Sequence, residues 1–232
     1  MFSERLLGQS KSTKGLIANI LLEILIIILG VLISLWLSNI FQHWDNARQE
    51  QVYLELLHSD LQADLAVLRS ERAHREEQVT AAGQLIGALN NPDVPTYRQT
   101  VANSMRNLLT TIRFSSSNAT FRALESTGEL KLIREDSLVN QLIQLYSKDY
   151  ESLRHNNDDI SNFRNNFLLP YAVTNLNFRD AFGQSTNTRA KDVIPLFNQA
   201  VYCSISLQST VDAYKQSEER VEKLLQVLAQ SL

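Results

Sequence analysis

Seven glycines and four prolines are all that the 232 residues contain. So few positions break a helix or demand unusual backbone angles that the composition leans towards an all-α protein. Cysteine is scarcer still: Cys203 stands alone, which excludes an intrachain disulfide and leaves the redox compartment unread. Its ordinary role on a helical pattern is that of a small core residue. A basic surplus is also missing. The net charge is −3, and because Arg5, Lys11 and Lys14 outweigh Glu4 in residues 1–15, the rest of the chain is more acidic still. A duplex-binding surface needs a net basic face to displace counterions, so no nucleic acid is expected among the partners.

Catalytic and metal-binding signatures are equally thin. His43, His58, His74 and His155 are scattered, and none has a second His three or four residues on, so zinc has no home by spacing. His155-Asn156-Asn157-Asp158-Asp159 is polar enough to suggest a cation, but adjacent residues on a helix point in different directions, and a solvated face is the plainer reading. A P-loop, G-x-S-x-G and G-x-G-x-x-G are all absent, leaving no catalytic residue, cofactor or small-molecule substrate to name. Asn118-Ala119-Thr120 matches a glycosylation sequon and is read as chance.

What is present is one long apolar run. Leu16 to Ile40 holds a single ionisable residue, Glu23, and as a helix measures ~38 Å at 1.5 Å per residue, against a hydrocarbon core of ~30 Å. The core helix of a soluble protein seldom stays apolar on every face for so long. The run also exceeds the apolar stretch of a cleaved signal peptide, and Ser34-Leu35-Trp36-Leu37-Ser38 lacks a small-residue cleavage pattern. It reads as an uncleaved transmembrane anchor over residues 16–41, between a basic tail (1–15) and a helical domain (42–232). Arg5, Lys11 and Lys14 precede the span whereas Arg48 follows it, so the positive-inside rule puts the tail in the cytoplasm and the domain outside. Trp36, Phe41 and Trp44 suit an interfacial belt.

Within the anchor, Asn19, Glu23, Gly30, Ser34 and Ser38 fall within about 100° of arc at 100° per residue. Gly30, Ser34 and Ser38 form a small-xxx-small ladder of the kind that lets two helix backbones approach in lipid. An intramembrane carboxylate is a functional candidate by default, but Glu23 lies near the cytoplasmic boundary, where it can snorkel or bond Asn19 one turn earlier. The partners so expected are the lipid bilayer and either a second copy or another membrane protein.

Beyond the anchor, helical spacing returns. Leu54, Leu57, Leu61, Leu65 and Leu68 form one face; after a charged break at Arg72 and Arg75, it continues through Val79, Ala82, Ile86 and Leu89. Asn90 to Pro95 ends this helix. Tyr97, Val101, Met105, Leu108 and Ile112 outline a second, and Ser115 to Asn118 offer cap oxygens for a brief third over 119–127, with Gly128 as its C-terminal cap. Leu138, Leu142, Leu145, Tyr146, Tyr150, Leu153, Ile160, Phe163 and Phe167 make a further stripe ending near Pro170, interrupted at Asn157. Residues 171–191 read as a loop, a segment whose length favours a binding role. Phe197 to Leu232 forms a heptad seam broken at Ser204 and Glu218. Antiparallel packing of this helix on the first gives an elongated bundle; a self-associating coiled coil is the competing use of the seam.

Three blocks resemble a family of single-span bacterial membrane proteins with a short basic N-terminus and a helical extracytoplasmic domain of unknown function. They are the anchor from Glu23 to Leu35, the segment Tyr53-Leu54 through Asp60-Leu61 to Asp64-Leu65, and Ala119 to Ile133. The similarity covers roughly residues 15–150. It departs at Ser34, where the family has Ala, and near Asn39, where the family's Asn-Asn-Trp comes sooner than Trp44 does here. The resemblance implies a bacterial inner membrane and a periplasmic domain, and implies no activity. The expectation is a non-enzymatic interaction or scaffold protein; a sensory subunit relaying a periplasmic ligand signal and a membrane-bound hydrolase without a recognisable motif are the alternatives.

Overall fold

The computed structural model describes residues 9–111, 114–176 and 193–231, with side chains from Asn19 onward. Its elements are α1 (Gln9–Asn90), α2 (Tyr97–Leu108), α3 (Ala119–Thr127), a 3-10 turn (Glu129–Leu132), α4 (Asp136–Gln144), α5 (Tyr150–Phe163), α6 (Leu169–Asn175) and α7 (Val193–Ser231). No strand occurs among the described residues, so the fold is all-α. The chain divides into two compact units, Met1–Val52 and Tyr53–Leu232.

In the first unit α1 is clad in Ile and Leu, and its apolar stretch has a mean hydropathy of 2.9 with none of it buried. It is long and apolar enough to cross a membrane by length and composition.

The second unit is an up-down-up-down bundle. Ion pairs Arg69–Glu222 and Arg72–Glu218, both at 2.7 Å, run α7 antiparallel to α1. Arg220–Asp149 at 2.7 Å and the ring contact of Phe163 with Tyr202 run α7 antiparallel to the α4–α6 rod. Gln78 donates to the carbonyls of Asn107 and Thr110, which lays α2 back along α1.

On α1 the buried positions are 54, 57, 61, 64, 68, 75, 78, 81, 82, 85 and 89, a heptad rhythm of threes and fours with one step of seven and with Ala81 beside Ala82. Two apolar clusters result. One gathers Leu54, Leu57, Leu61 and Leu68 with Leu142, Leu153, Tyr214, Val221 and Leu228; the other gathers Ala82, Leu85 and Leu89 with Val101, Met105, Ile160, Leu196, Ala200 and Leu207. Val79 and Ile86, expected on the seam, lie only half-buried at its edge, and Ala81 and Leu85 hold the inward positions.

The α4–α6 rod keeps its buried stripe by two π-helical turns, Leu145–Asp149 and Arg164–Leu168. In each the backbone bonds five residues back, Tyr150 to Leu145 and Leu169 to Arg164. The extra residue returns the phase that a drifting stripe loses, so Leu145 and Tyr150, five apart, both face the core. The second π turn also corrects the expected end at Pro170. The helix continues through Pro170 to Asn175, the proline following directly on the second π turn, where the regular bonding four residues back is already interrupted. Tyr171 to Asn175 are therefore helical and Leu176 is buried; residues 177–191 of that expected loop lie outside the described residues, as does Ile112.

The seam on α7 passes through Cys203 rather than Ser204, and through Leu196 and Leu224 rather than Phe197 and Leu225. Ser204 is thus no break. Gly128, at φ 72°, closes α3 in the left-handed conformation that glycine takes without penalty, as expected.

Candidate functional site

Polar groups gather inside the second unit at two levels, and the expected stripe on the apolar stretch of α1 forms a third feature.

The first level is a layer between the two apolar clusters. Each long helix interrupts its apolar stripe there, and the interruptions meet. Arg75 of α1 is fully buried; its guanidinium donates to Gln78 Oε1 at 2.8 Å and to Asn157 Oδ1 of α5 at 2.5 Å. Asn157 in turn donates to Leu153 O at 2.8 Å and to the Tyr214 hydroxyl of α7 at 3.1 Å. At the margin, Arg72 reaches both Glu218 and Glu76, and Arg164 donates to Thr110 O at 3.3 Å. Burial lowers the pKa of Arg75, with Tyr214 and Glu71 working against that shift, and burial raises that of Glu71. The charged break at Arg72 and Arg75, the interruption at Asn157 and the flaw at Glu218 are one structure. A buried, hydrogen-bonded charge contributes less to net stability than to fixing how helices align.

The second level is the start of α3. The hydroxyl-bearing run before it supplies no side-chain cap: Asn118 occupies the cap position without a capping bond. The caps come from α1 instead. Asp64 Oδ1 accepts the Ser117 N–H at 2.5 Å and Asp60 Oδ2 the Thr120 N–H at 3.3 Å, placing two carboxylates where the helix dipole favours negative charge. Tyr53 donates to Glu129 Oε2 at 2.6 Å just past the other end of α3. Two of the three blocks quoted for the family resemblance are thereby bonded to one another. Asp64 is fully buried, and burial raises its pKa, which the Ser117 N–H and nearby Tyr150 partly offset. Tyr146 stacks on Phe121 at 4.7 Å and meets Tyr150 edge-on at 5.3 Å. Burial pushes both tyrosine hydroxyls up, so they stay protonated donors.

Beside this junction lies an open cavity of about 320 Å³ lined by Ser115, Ser116, Asn118, Arg122, Tyr146, Glu151 and Arg154 among others. Arg154 is paired with Glu151 there, and the amides at the start of α3 already face Asp60 and Asp64. No group of three or more His, Cys, Asp or Glu is disposed to hold a metal among the described residues. Cys203 is buried in the second apolar cluster, and burial pushes its thiol up to about 11, the reverse of a reactive cysteine.

On the apolar stretch of α1, Asn19, Glu23, Gly30, Ser34 and Ser38 are all exposed. Ser34 donates its hydroxyl to Gly30 O at 2.9 Å, satisfied on its own helix. A Cβ built on Gly30 would meet nothing within 4 Å, so the groove at that point is open. Trp36, Phe41 and Trp44 project outward.

Family models, curated proteins and solved structures offer no match to this chain.

Proposed function

We propose that this is a membrane-tethered, non-enzymatic interaction protein. Residues 16–41 cross the bilayer as a signal anchor, the basic tail lies in the cytoplasm, and the helical bundle works in the periplasm of a bacterial inner membrane, where it engages a second copy or another membrane protein. The observation that carries this reading is the bare apolar surface of α1 from Asn19 to Asn39, exposed at every position. In water such a surface would cost about 25 cal/mol for each Å² left uncovered, and lipid is the solvent in which that cost vanishes. Arg5, Lys11 and Lys14 support the orientation. Gly30 and Ser34 offer the closest approach for a partner helix in the bilayer. The non-enzymatic part rests on how the bundle uses its buried polar groups: Arg75, Asn157, Tyr214, Asp60 and Asp64 are each engaged in joining one helix to another.

Fractionation tests the anchor. The full chain should sediment with membranes and resist high salt and carbonate, and a chain starting at Gln42 should move to the aqueous fraction. A periplasm-active reporter fused after Leu232 should be active; activity from a cytoplasm-only reporter at the same place would reverse the orientation. Recovery of the intact chain from the aqueous fraction without detergent would end the reading.

A further inference from the structure

Residues 114–118 have no regular secondary structure, yet distant elements hold their backbone from two sides. Asp64 of α1 accepts the Ser117 N–H at 2.5 Å, and the Tyr146 hydroxyl of the rod donates to Ser117 O at 3.4 Å. Asp64 is fully buried and Tyr146 half-buried, so the run is fixed in place, which is the preorganisation a binding site needs.

The side chains of the run contribute nothing to that fixing. Among the described residues, the Ser115 and Ser116 hydroxyls, the Asn118 amide and the Arg122 guanidinium have no hydrogen-bond or ion-pair partner. All four line the cavity of about 320 Å³ beside the start of α3, a volume within the range of about 300–1,000 Å³ of small-molecule sites. Most of the remaining lining comes from the first π turn and the helical turn after it: Tyr146, Tyr150, Glu151 and Arg154. Turns of this kind are rare and concentrate at functional sites.

We propose that this cavity binds a small hydroxylated carboxylate of one negative charge, a sugar acid or a hydroxy acid. Charge selects the single carboxylate. Arg154 gives two hydrogen bonds to Glu151, so that pair is neutral and Arg122 leaves the cavity one positive charge in surplus. A guanidinium presents a planar fork that matches a carboxylate, whereas a phosphate near neutral pH carries close to two charges and would leave one unmatched. The lining selects the hydroxyls. Six of its nine residues are Ser, Asn, Arg or Glu; hydroxyls and amides that both donate and accept are answered by a polyol, and an apolar ligand would strand them. The amides at the start of α3 take no part, because Asp60 and Asp64 already occupy them. This site lies wholly in the bundle and is independent of the anchor and of the protein partner proposed above.

Titration calorimetry of the full chain in detergent tests it with D-glucuronate, D-gluconate, D-glucose and inorganic phosphate. At least one of the two carboxylates should bind saturably, with glucose and phosphate at least about tenfold weaker. Arg122→Gln should weaken that binding at least about tenfold and leave helical content and the unfolding midpoint unchanged, since the guanidinium has no partner in the fold. Arg122→Lys, which keeps the charge and loses the fork, should retain only part of the affinity. Ser116→Ala should cost about two- to tenfold. The proposal is overturned if neither carboxylate saturates, if glucose or phosphate binds as tightly, or if binding is indifferent to Arg122→Gln.

Discussion

Arg75 on α1 and Asn157 on α5 meet at 2.5 Å, guanidinium to amide oxygen, eighty-two residues apart and in the interior of the bundle. The contact lies between two apolar clusters and belongs to neither, so it sets the height at which α1, α5 and α7 stand against one another. Removing either partner strands the other. Asn157→Leu should cost about 3 kcal/mol by leaving a buried cation short of an acceptor, and Arg75→Met about 1–3 kcal/mol by leaving the amides of Asn157 and Gln78 unmatched. The double variant should be more stable than the sum of the two losses implies, by about 1 kcal/mol or more. Urea unfolding of the four proteins measures this, and strict additivity would mean that the contact carries no coupling.

Asp64 gives the protein a pH dependence of unusual sign. Its folded pKa stands above the ordinary 3.8 because burial disfavours the charged form. The native state therefore holds the proton more tightly than the unfolded chain, so the associated stability is full below about pH 4 and declines as the pH climbs through the raised value. Asp64→Asn keeps an oxygen for the Ser117 N–H and cannot ionise. It should flatten that decline in part, the remainder coming from Glu71, whose pKa burial also raises. Unfolding free energies measured from about pH 4 to pH 8 decide it; an unchanged slope would mean that Asp64 is solvated in the folded protein.

Gly128 holds φ 72° at the end of α3. Open space surrounds its Cβ position, so the cost of Gly128→Ala is conformational alone, about 1 kcal/mol. A melting temperature equal to that of the parent would show that this turn relaxes to a right-handed conformation.

Cys203, with its thiol near pKa 11 and its side chain in the core, should resist maleimide at pH 8 in the folded chain and react fully in denaturant. The rate of labelling then reports opening of the bundle around α7. Fast labelling under native conditions would place this stretch of α7 among the least stable parts of the fold.

Sequence alone was enough for the helical class, the long apolar helix near the N-terminus, the heptad rhythm of α1 and α7, and the Gly128 cap, because each depends on residues within a turn or two of one another. Periodicity of 3.6, the length of an apolar run and the backbone freedom of glycine are local properties. Tertiary structure decided the rest. The same residues that looked like separate flaws in three stripes, Arg75, Asn157 and Glu218, proved to share one layer with its margin. The cap of α3 came from Asp60 and Asp64, more than fifty residues upstream, instead of the adjacent serines. Two π turns kept the rod in phase and carried it past Pro170. Each of these depends on which helix lies beside which, and a chain read in order carries no direct sign of that, because a buried polar residue gains its partner only when distant segments pack.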